Sequence, residues 1–318
     1  MSLTDKLSII VVGYGRWGRN HAATLKEIPN ARLVAVVDID ERASREAAEN
    51  LQVKAYSNVD EVLEKETFDA ATVATPPYTH ADIAVKLIEA QKHVYVEKPF
   101  GFSAYDALRI KEAAEEVGVT VMPGFSQRYI PVFKAFAENV KAFGRPRLVT
   151  AIRESKGWFW SGPRIGIIPE QGIHGLDLAL QVAGSPPSEV AAFIVERKPR
   201  VDEMAEIIVR HKSGTITEVK CLFGAPRWND SASAICEEGE LIADRIGRSL
   251  TIKDKEGKRD SRIIFEDEDN FLKPALKDFI DSVLRGEEPP IKLDEGVRNW
   301  RVCDAAYKAS QKSLVVKL

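Results

Sequence analysis

The sequence predicts an α/β protein with two domains: a doubly wound parallel sheet at the N-terminus, then an α+β domain with a large, mainly antiparallel open sheet. Three observations support this. Strand and helix patterns alternate through residues 1–122, long strands follow one another from about residue 145, and 318 residues are enough for two domains. We therefore predict domains at 1–122 and 123–318, and leave open whether the final helices pack back on the first domain.

The composition argues against several classes of protein. The chain has 45 basic and 48 acidic residues, and its net charge of −3 gives no electrostatic reason to expect nucleic acid or a membrane surface as a partner. No apolar run approaches the ~18–20 residues of a membrane span, and the N-terminus has no signal-peptide pattern. The three cysteines are far apart, which favours neither a disulfide framework nor a zinc site. We expect a cytoplasmic protein without a metal centre.

Apolar β-branched runs predict the strands of the first domain, and amphipathic patterns predict its helices. The predicted strands are 7–12, 32–38, 53–55, 69–74, 93–96 and 119–122. The predicted helices are 16–27, 40–50, 59–65, 79–90 and 103–117.

A glycine-rich turn joins the first strand to the first helix. Gly13 permits a tight turn, Gly15 leaves room for a pyrophosphate to contact the backbone, and Gly18 lets the helix pack close to the strand. The helix N-terminus offers N–H donors and a partial positive charge to the phosphates. This arrangement is typical of a Rossmann domain and predicts a bound dinucleotide. The predicted cofactor-binding residues of the turn are Gly13, Tyr14, Gly15, Arg16, Trp17 and Gly18.

Asp38 indicates which dinucleotide binds. It lies at the end of the next strand, where a carboxylate accepts hydrogen bonds from the adenosine ribose diol. A carboxylate there repels a 2′-phosphate, and the next residue, Ile39, is not an arginine that could bind one. NAD is therefore favoured, while NADP stays open because Arg42 and Arg45 lie nearby.

Ligands of doubly wound sheets bind beyond the carboxyl ends of the strands. Two prolines fix a rigid turn after strand 69–74, and a Glu-Lys-Pro sequence after strand 93–96 places Lys98 at the upper edge of the sheet. A solvated lysine paired with Glu97 is the alternative for Lys98. We expect the residues after these two strands to contribute to the cofactor site: Thr75, Pro76, His80, Glu97 and Lys98.

The second domain begins with a joining segment and a helix within 123–143. Its predicted strands are 145–154, 188–197, 204–211, 215–222, 230–237, 240–244, 249–253, 260–265 and 314–317. Its predicted helices are 169–183, 270–285 and 294–312.

Three polar residues, Glu170, His174 and Asp177, fall on one face of the predicted helix 169–183. Two carboxylates near an imidazole raise its pKa and fix its tautomer, which suits a general acid/base that works near neutral pH. Each residue also has a structural alternative. Glu170 could complement the helix dipole, His174 could be a hydrogen-bonded core residue, and Asp177 could only orient the histidine.

An aromatic loop precedes that helix and carries Trp158, Trp160 and Arg164. Tryptophan faces stack on sugar rings, and arginine binds hydroxyls or carboxylates. Packing in a core or an interface is the alternative for the two tryptophans. Our candidate substrate-binding residues are Lys98, Arg128, Trp158, Trp160, Arg164 and His174.

In this order, the motifs resemble those of the Gfo/Idh/MocA oxidoreductase family over nearly the whole chain. The resemblance implies a Rossmann domain followed by an α+β domain whose open sheet forms homodimers or homotetramers. It also implies oxidation or reduction, with a nicotinamide cofactor, of a secondary alcohol on a sugar, cyclitol or nucleotide sugar. The matching segments are 13–18, 75–80, 97–99, 124–131, 166–177 and 238–241.

The resemblance further implies roles for single residues. Lys98 matches a lysine that contacts substrate and nicotinamide, and His174 matches the usual acid/base. The residue four before that histidine is usually aspartate, but here it is Glu170, preceded by Pro169. We predict that His174 takes the hydroxyl proton while Lys98 stabilises the alkoxide, with Glu170 and Asp177 as further catalytic candidates. The alternatives are a non-catalytic NAD-binding sensor and a reductase of a keto-sugar or imine.

Overall fold

The computed structural model confirms the predicted fold class, with one parallel and one mainly antiparallel sheet. The chain forms two compact units. The first contains the residues up to Ser126 together with Leu272–Trp300, and the second contains Gln127–Phe271 and Arg301–Leu318. The structure describes residues 6–157, 165–198, 201–258, 260–266 and 270–318.

The first unit contains a parallel sheet of six strands in the order β3-β2-β1-β4-β5-β6. Every residue of β1 is buried, as its uninterrupted apolar run predicts. The strands are β1 Leu7–Val12, β2 Ala31–Val37, β3 Lys54–Tyr56, β4 Ala70–Val73, β5 His93–Glu97 and β6 Val121–Gly124. The helices between them are α1 Arg16–Glu27, α2 Glu41–Leu51, α3 Val59–Lys65, α4 His80–Glu89 and α5 Ala104–Val117.

Side-chain caps explain why three of these helices begin where they do. Asp40 accepts the Arg42 N–H at 2.9 Å and begins α2. In the same way, Asn58 begins α3 and Ser103 begins α5, each by accepting the N–H three residues later. Such caps satisfy backbone donors that would otherwise have no partner in the helix.

The second unit contains α6 and α7 and a nine-stranded sheet in the order β14-β13-β12-β11-β7-β10-β9-β8-β15, among the described residues. Strands β7 and β10 pair in parallel, and the other neighbours are antiparallel. The strands are β7 Pro146–Ser155, β8 Pro187–Lys198, β9 Val201–His211, β10 Ile216–Phe223, β11 Asn229–Cys236, β12 Gly239–Asp244, β13 Ser249–Asp254, β14 Asp260–Ile264 and β15 Val316–Lys317. The helices are α6 Pro131–Val140 and α7 Ile173–Ala183.

The predicted helix 169–183 differs from the structure in its first turn. Ile168–Gly172 is π-helical, and only Ile173–Ala183 is α-helical. The α-helical period assumed for Glu170 therefore does not hold there. Pro169 is tolerated because it lies in the first turn, where its missing N–H leaves no helical hydrogen bond unmade.

One face of the large sheet is covered and the other is open. Side chains such as Val149, Ala151 and Val219 point to the covered face and are fully buried, where α7 packs against β7 and β10. The alternate residues point to the open face, which exposes large apolar side chains that include Phe193, Ile208, Ile235 and Ile242.

Two further helices, α8 Leu272–Arg285 and α9 Leu293–Lys312, follow the large sheet in the chain. In the first unit, Phe279 of α8 packs edge-on against Tyr95 of β5, with ring centroids 5.9 Å apart. In the described part of the chain, no helix has both the length and the apolar character that a membrane crossing requires.

Candidate cofactor and active site

The turn between β1 and α1 has the geometry that its glycines require. Gly13 has a φ of +90°, and its N–H donates to the Val37 carbonyl at 2.7 Å. A Cβ at Gly18 would overlap the carbonyl oxygen of Gly13. A Cβ at Gly15, by contrast, would meet no described heavy atom within 4 Å. Gly15 therefore borders open space, which is the room that a pyrophosphate needs.

Donors and acceptors for a dinucleotide surround this turn. Gly15 is the N-cap of α1 and carries no side chain with which to cap the first N–H groups, so this helix end suits an anion. Asp38 accepts the Tyr14 N–H through Oδ2 at 2.6 Å and the Asp40 N–H through Oδ1 at 2.8 Å. Each carboxylate oxygen keeps lone-pair capacity for a ribose hydroxyl. These residues fit a bound NAD.

Tyr14 fixes the turn from inside the first unit. Its ring is buried, and the Arg19 guanidinium lies 4.6 Å from the ring centroid. Arg19 is itself paired with Glu46. Burial raises the pKa of the Tyr14 phenol, so Tyr14 is neutral at physiological pH. Arg16 is exposed and Trp17 is half-buried at the start of α1.

The surroundings of Asp38 agree with the preference for NAD. Ile39 is 90% exposed and offers no charge to a 2′-phosphate. Arg45, one of the two arginines that left NADP open, donates to Glu41 at 2.7 Å on α2.

His80 joins the turn after β4 to the turn after β5. Its Nε2 lies 2.8 Å from the Thr75 carbonyl oxygen, and its Nδ1 lies 2.9 Å from that of Pro99. The side chain is 1% exposed, and burial lowers the pKa of the imidazole. Since a carbonyl oxygen faces each ring nitrogen, the imidazole lies between the two turns, and in its neutral form it donates to one of the two carbonyls. A direct contact between His80 and a cofactor stays a prediction, as do the contacts of Thr75 and Pro76.

Glu97 and Lys98 lie at the carboxyl end of β5, at the sheet edge where the sequence places them. Glu97 is buried, whereas Lys98 is half-buried. One carboxylate oxygen of Glu97 accepts the Lys98 backbone N–H at 3.0 Å. The other lies 2.9 Å from Nε2 of His21, a fully buried residue of α1.

Sequence reasoning misses His21. A single histidine in an amphipathic helix is typical of many cores, and its partner lies 76 residues away. The sequence feature that could have identified His21 is its position on α1, three residues after Gly18 and on the same buried side of the helix.

In the second unit, the three polar residues of the predicted stripe are all buried. Glu170, His174 and Asp177 are 5%, 7% and 2% exposed. Glu170 lies in the π-helical turn and the other two lie in α7. Such turns occur often at functional sites, because they change the direction of one side chain without ending the helix. The catalytic roles of these residues stay predictions.

Asp177 forms a bidentate ion pair with Arg128. Nε and Nη2 of the arginine donate to the two carboxylate oxygens at 2.7 and 2.6 Å, and both side chains are largely buried. Arg128 follows the first residue of the second unit and belongs to a 3₁₀ turn, Ser126–Tyr129. The structure therefore gives the predicted substrate-binding arginine a structural partner, and substrate contact by Arg128 stays a prediction.

Two more arginines share one carboxylate beneath α7. Arg153 of β7 and Arg245 both bind Asp230. The Arg153 guanidinium also lies 4.9 Å from the Phe133 ring centroid. Full burial, together with the charge of Arg245, lowers the pKa of Arg153 to about 9. Arg153 passes Gly175 of α7, next to His174, so a positive charge underlies the helix that carries the predicted acid/base.

Asp202 holds the start of the π-helical turn. It is fully buried, accepts the Ile168 N–H at 2.8 Å and accepts the Tyr307 hydroxyl at 2.6 Å. Burial raises the pKa of the Asp202 carboxyl. A Cβ at Gly172, between Glu170 and His174, would lie 3.0 Å from Sγ of Cys221, so the same side of the turn is closely packed.

Three of the predicted substrate-binding residues, Trp158, Trp160 and Arg164, lie outside the described residues. Among those that the structure describes, no group of three histidine, cysteine, aspartate or glutamate side chains could hold a metal ion.

The sequence matches two family models. One, described as "Oxidoreductase family, NAD-binding Rossmann fold", matches residues 7–125. The other, described as "GFO/IDH/MocA C-terminal domain", matches residues 140–242. The first unit is thus an NAD-binding Rossmann domain.

Several characterised proteins are similar over their whole length. The chain is 28% identical to myo-inositol 2-dehydrogenase of Thermotoga maritima, over 98% of each chain. It is 26% identical to scyllo-inositol 2-dehydrogenase (NAD(+)) of Bacillus subtilis, over 97% of this chain and 95% of the other. A crystal structure of a probable dehydrogenase from Thermotoga maritima superposes with a TM-score of 0.83 at 28% identity, over 98% of each chain.

Proposed function

The chain belongs to the Gfo/Idh/MocA oxidoreductase family, and on that premise we propose that it transfers hydride between NAD and a secondary alcohol or ketone of a cyclitol, sugar or nucleotide sugar. One observation supports this most: the same chain has an open glycine turn, bound by Asp38 through the Tyr14 N–H, and a buried helix that carries His174. The inositol dehydrogenases among its relatives make cyclitols the first substrates to test.

Each proposed role follows from the chemistry of the side chain. NAD supplies the hydride acceptor when it is bound. The N-terminus of α1 would hold the pyrophosphate, and Asp38 would accept hydrogen bonds from the ribose hydroxyls. His174 takes the hydroxyl proton of the substrate, and the Lys98 ammonium stabilises the negative charge that develops on the same oxygen. In the opposite direction, His174 returns the proton to the carbonyl oxygen as the alcohol forms.

The neighbouring charges keep the acid/base in place. We propose that Glu170 assists His174 in proton transfer, since both are buried in adjoining helical turns. We propose that Asp177 contributes by orientation, because Arg128 donates to both of its oxygens and fixes the carboxylate.

The test compares Lys98→Ala and His174→Ala with the wild type on myo-inositol, scyllo-inositol, free sugars, keto-sugars and a nucleotide sugar, with NAD and with NADP. Absorbance of reduced nicotinamide reports turnover, and calorimetry reports NAD affinity. Lys65→Ala, at an exposed lysine on α3, is the control.

We expect each of the two variants to lose roughly 10²–10⁴-fold in turnover, with little change in NAD affinity. Wild-type turnover in both variants would contradict these roles. NAD binding without hydride transfer by the wild type would instead indicate a sensor.

We further propose that the chain forms a homodimer or homotetramer through the open face of the large sheet, in the cytoplasm. The exposed Phe193, Ile208, Ile235 and Ile242 on that face support the assembly. Free, buried cysteines support a reducing compartment. Light scattering should give a dimer or tetramer for the wild type and a smaller species for Ile208→Asp; a monomeric wild type would overturn the assembly.

A further inference from the structure

The Lys98 backbone is held by a chain of buried hydrogen bonds that begins on another element. Nε2 of His21 lies 2.9 Å from one oxygen of Glu97, and the other oxygen accepts the Lys98 N–H at 3.0 Å. His21 is 0% exposed and Glu97 is 5% exposed. Water therefore does not compete for the His21–Glu97 bond, and the geometry of that bond is set by the protein alone.

The partners of the ring decide which nitrogen of His21 carries the proton. The Glu97 carboxylate only accepts, so Nε2 must donate to it. Nδ1 is buried and has no hydrogen-bond partner among the described residues. The Tyr95 ring packs against the imidazole in a T-shaped contact, with ring centroids 5.6 Å apart, and limits its rotation.

We propose that His21 is a positioning residue for the reaction: it fixes Glu97, and Glu97 fixes the peptide that carries Lys98. The proposal rests on the proposed function of Lys98. The removal of the His21 donor frees one Glu97 oxygen, so the carboxylate rotates away from the Lys98 N–H in search of another partner. Lys98 then keeps its charge but loses its position.

The same helix links this chain of bonds to the cofactor turn. His21 lies on α1, whose first turn packs against Gly13 through Gly18 and presents its N-terminus to the pyrophosphate. The helix that holds the phosphates therefore also holds the Lys98 peptide in register with them. His21 touches neither substrate nor cofactor in this account, so its loss should change turnover more than NAD affinity.

Two amide variants test the proposal with nearly matched side chains. The amide nitrogen of His21→Gln occupies the place of Nε2 and can still donate to Glu97. The amide nitrogen of His21→Asn reaches only the place of Nδ1 and cannot. Both variants bury a neutral amide, so general damage to the fold affects them alike.

We expect His21→Asn to lower turnover roughly ten- to a hundred-fold, the scale of a misplacement of about 1 Å. We expect His21→Gln to stay within about threefold of the wild type, because its hydrogen bond is kept. NAD affinity, measured by calorimetry, should change less than about threefold in both. Equal turnover in the two variants, or a parallel loss of NAD affinity and turnover, would overturn the proposal.

A second readout does not depend on activity. In ¹⁵N-labelled protein, the Lys98 amide proton should exchange at least about tenfold faster in His21→Asn than in His21→Gln. Equal exchange in the two variants would refute the positioning role, whatever the enzyme turns over. If the wild type transfers no hydride to any tested alcohol while the exchange rates differ as expected, the function fails and the His21–Glu97–Lys98 linkage stands.

Discussion

Substitution of Gly15 or Gly18 by alanine tests two different requirements of the turn. Gly15 leaves room for NAD, whereas Gly18 allows α1 to pack against the turn. The two glycines lie three residues apart in the same turn. A Cβ at Gly18 would overlap the carbonyl oxygen of Gly13, whereas a Cβ at Gly15 would meet no described heavy atom within 4 Å. The two substitutions to alanine should therefore fail in different ways.

The structure gives the expected effect on the apo protein. Gly15 has φ −70°, which alanine adopts without strain, so Gly15→Ala should leave stability unchanged or raise it by about 0.4–1 kcal/mol. Gly18→Ala forces α1 away from the turn, and overpacking of this kind costs roughly 1–3 kcal/mol or more. Urea unfolding without NAD measures both.

For NAD binding we expect the larger effect from Gly15→Ala, although Gly18→Ala has the larger effect on apo stability. At a concentration of 100 times its Kd, NAD stabilises the wild type by about 2.7 kcal/mol. If the new methyl group of Gly15→Ala displaces the pyrophosphate and weakens binding about a hundredfold, the same NAD concentration adds only about 0.4 kcal/mol. Full NAD stabilisation of Gly15→Ala, or wild-type apo stability of Gly18→Ala, would refute this account of the turn.

Two further predictions concern the buried groups around the site. Tyr307→Phe removes the donor at 2.6 Å from Asp202, and we expect a loss of about 1–3 kcal/mol in the free energy of unfolding, measured in urea; an unchanged unfolding midpoint would show that Tyr307 does not stabilise Asp202. Burial lowers the pKa of His80 below its unfolded value of about 6.5, so the unfolded chain binds more protons and stability falls as the pH drops below about 6.5 toward the folded pKa. His80→Gln should flatten this slope in pH-dependent urea titrations, and a slope parallel to the wild type would contradict the assignment.

Local patterns predicted most of the fold because local physics determines it. Short apolar runs predicted the strands at the centre of the parallel sheet, and the predicted bounds 7–12 and 93–96 agree with β1 and β5 to within one residue. The turn from Gly13 to Gly18 was equally predictable, since backbone sterics demand glycine at positions 13 and 18.

The π-helical turn could not be predicted in this way. Its sequence, with Pro169 and Gly172, is compatible with an α-helical start, and the i, i+4 spacing of Glu170 and His174 suggests one. The conformation depends on contacts with distant strands. Asp202, 34 residues later, binds the Ile168 N–H, and Cys221 packs against Gly172.

The pairing of charges was hidden from the sequence for the same reason. Asp177 sits at helical spacing from His174, which suggests that the two act together. In the structure, its carboxylate binds Arg128, 49 residues earlier in the chain. Spacing identifies residues on one face of an element, but the strongest partner of a buried carboxylate is a guanidinium wherever the fold brings one close.

The buried residues that position the motif residues are therefore as informative about function as the motifs themselves. Three of the predicted functional segments each contact a buried polar group from another element. The Lys98 peptide contacts His21 through Glu97, the Pro99 carbonyl contacts His80, and the Ile168 amide donates to Asp202. A buried polar group that loses its partner costs more than the bond was worth, because desolvation is no longer repaid. Substitutions at these positions should then move the reacting groups without touching substrate. Changes in turnover at residues outside the motifs, with NAD affinity kept, are the signature of that arrangement.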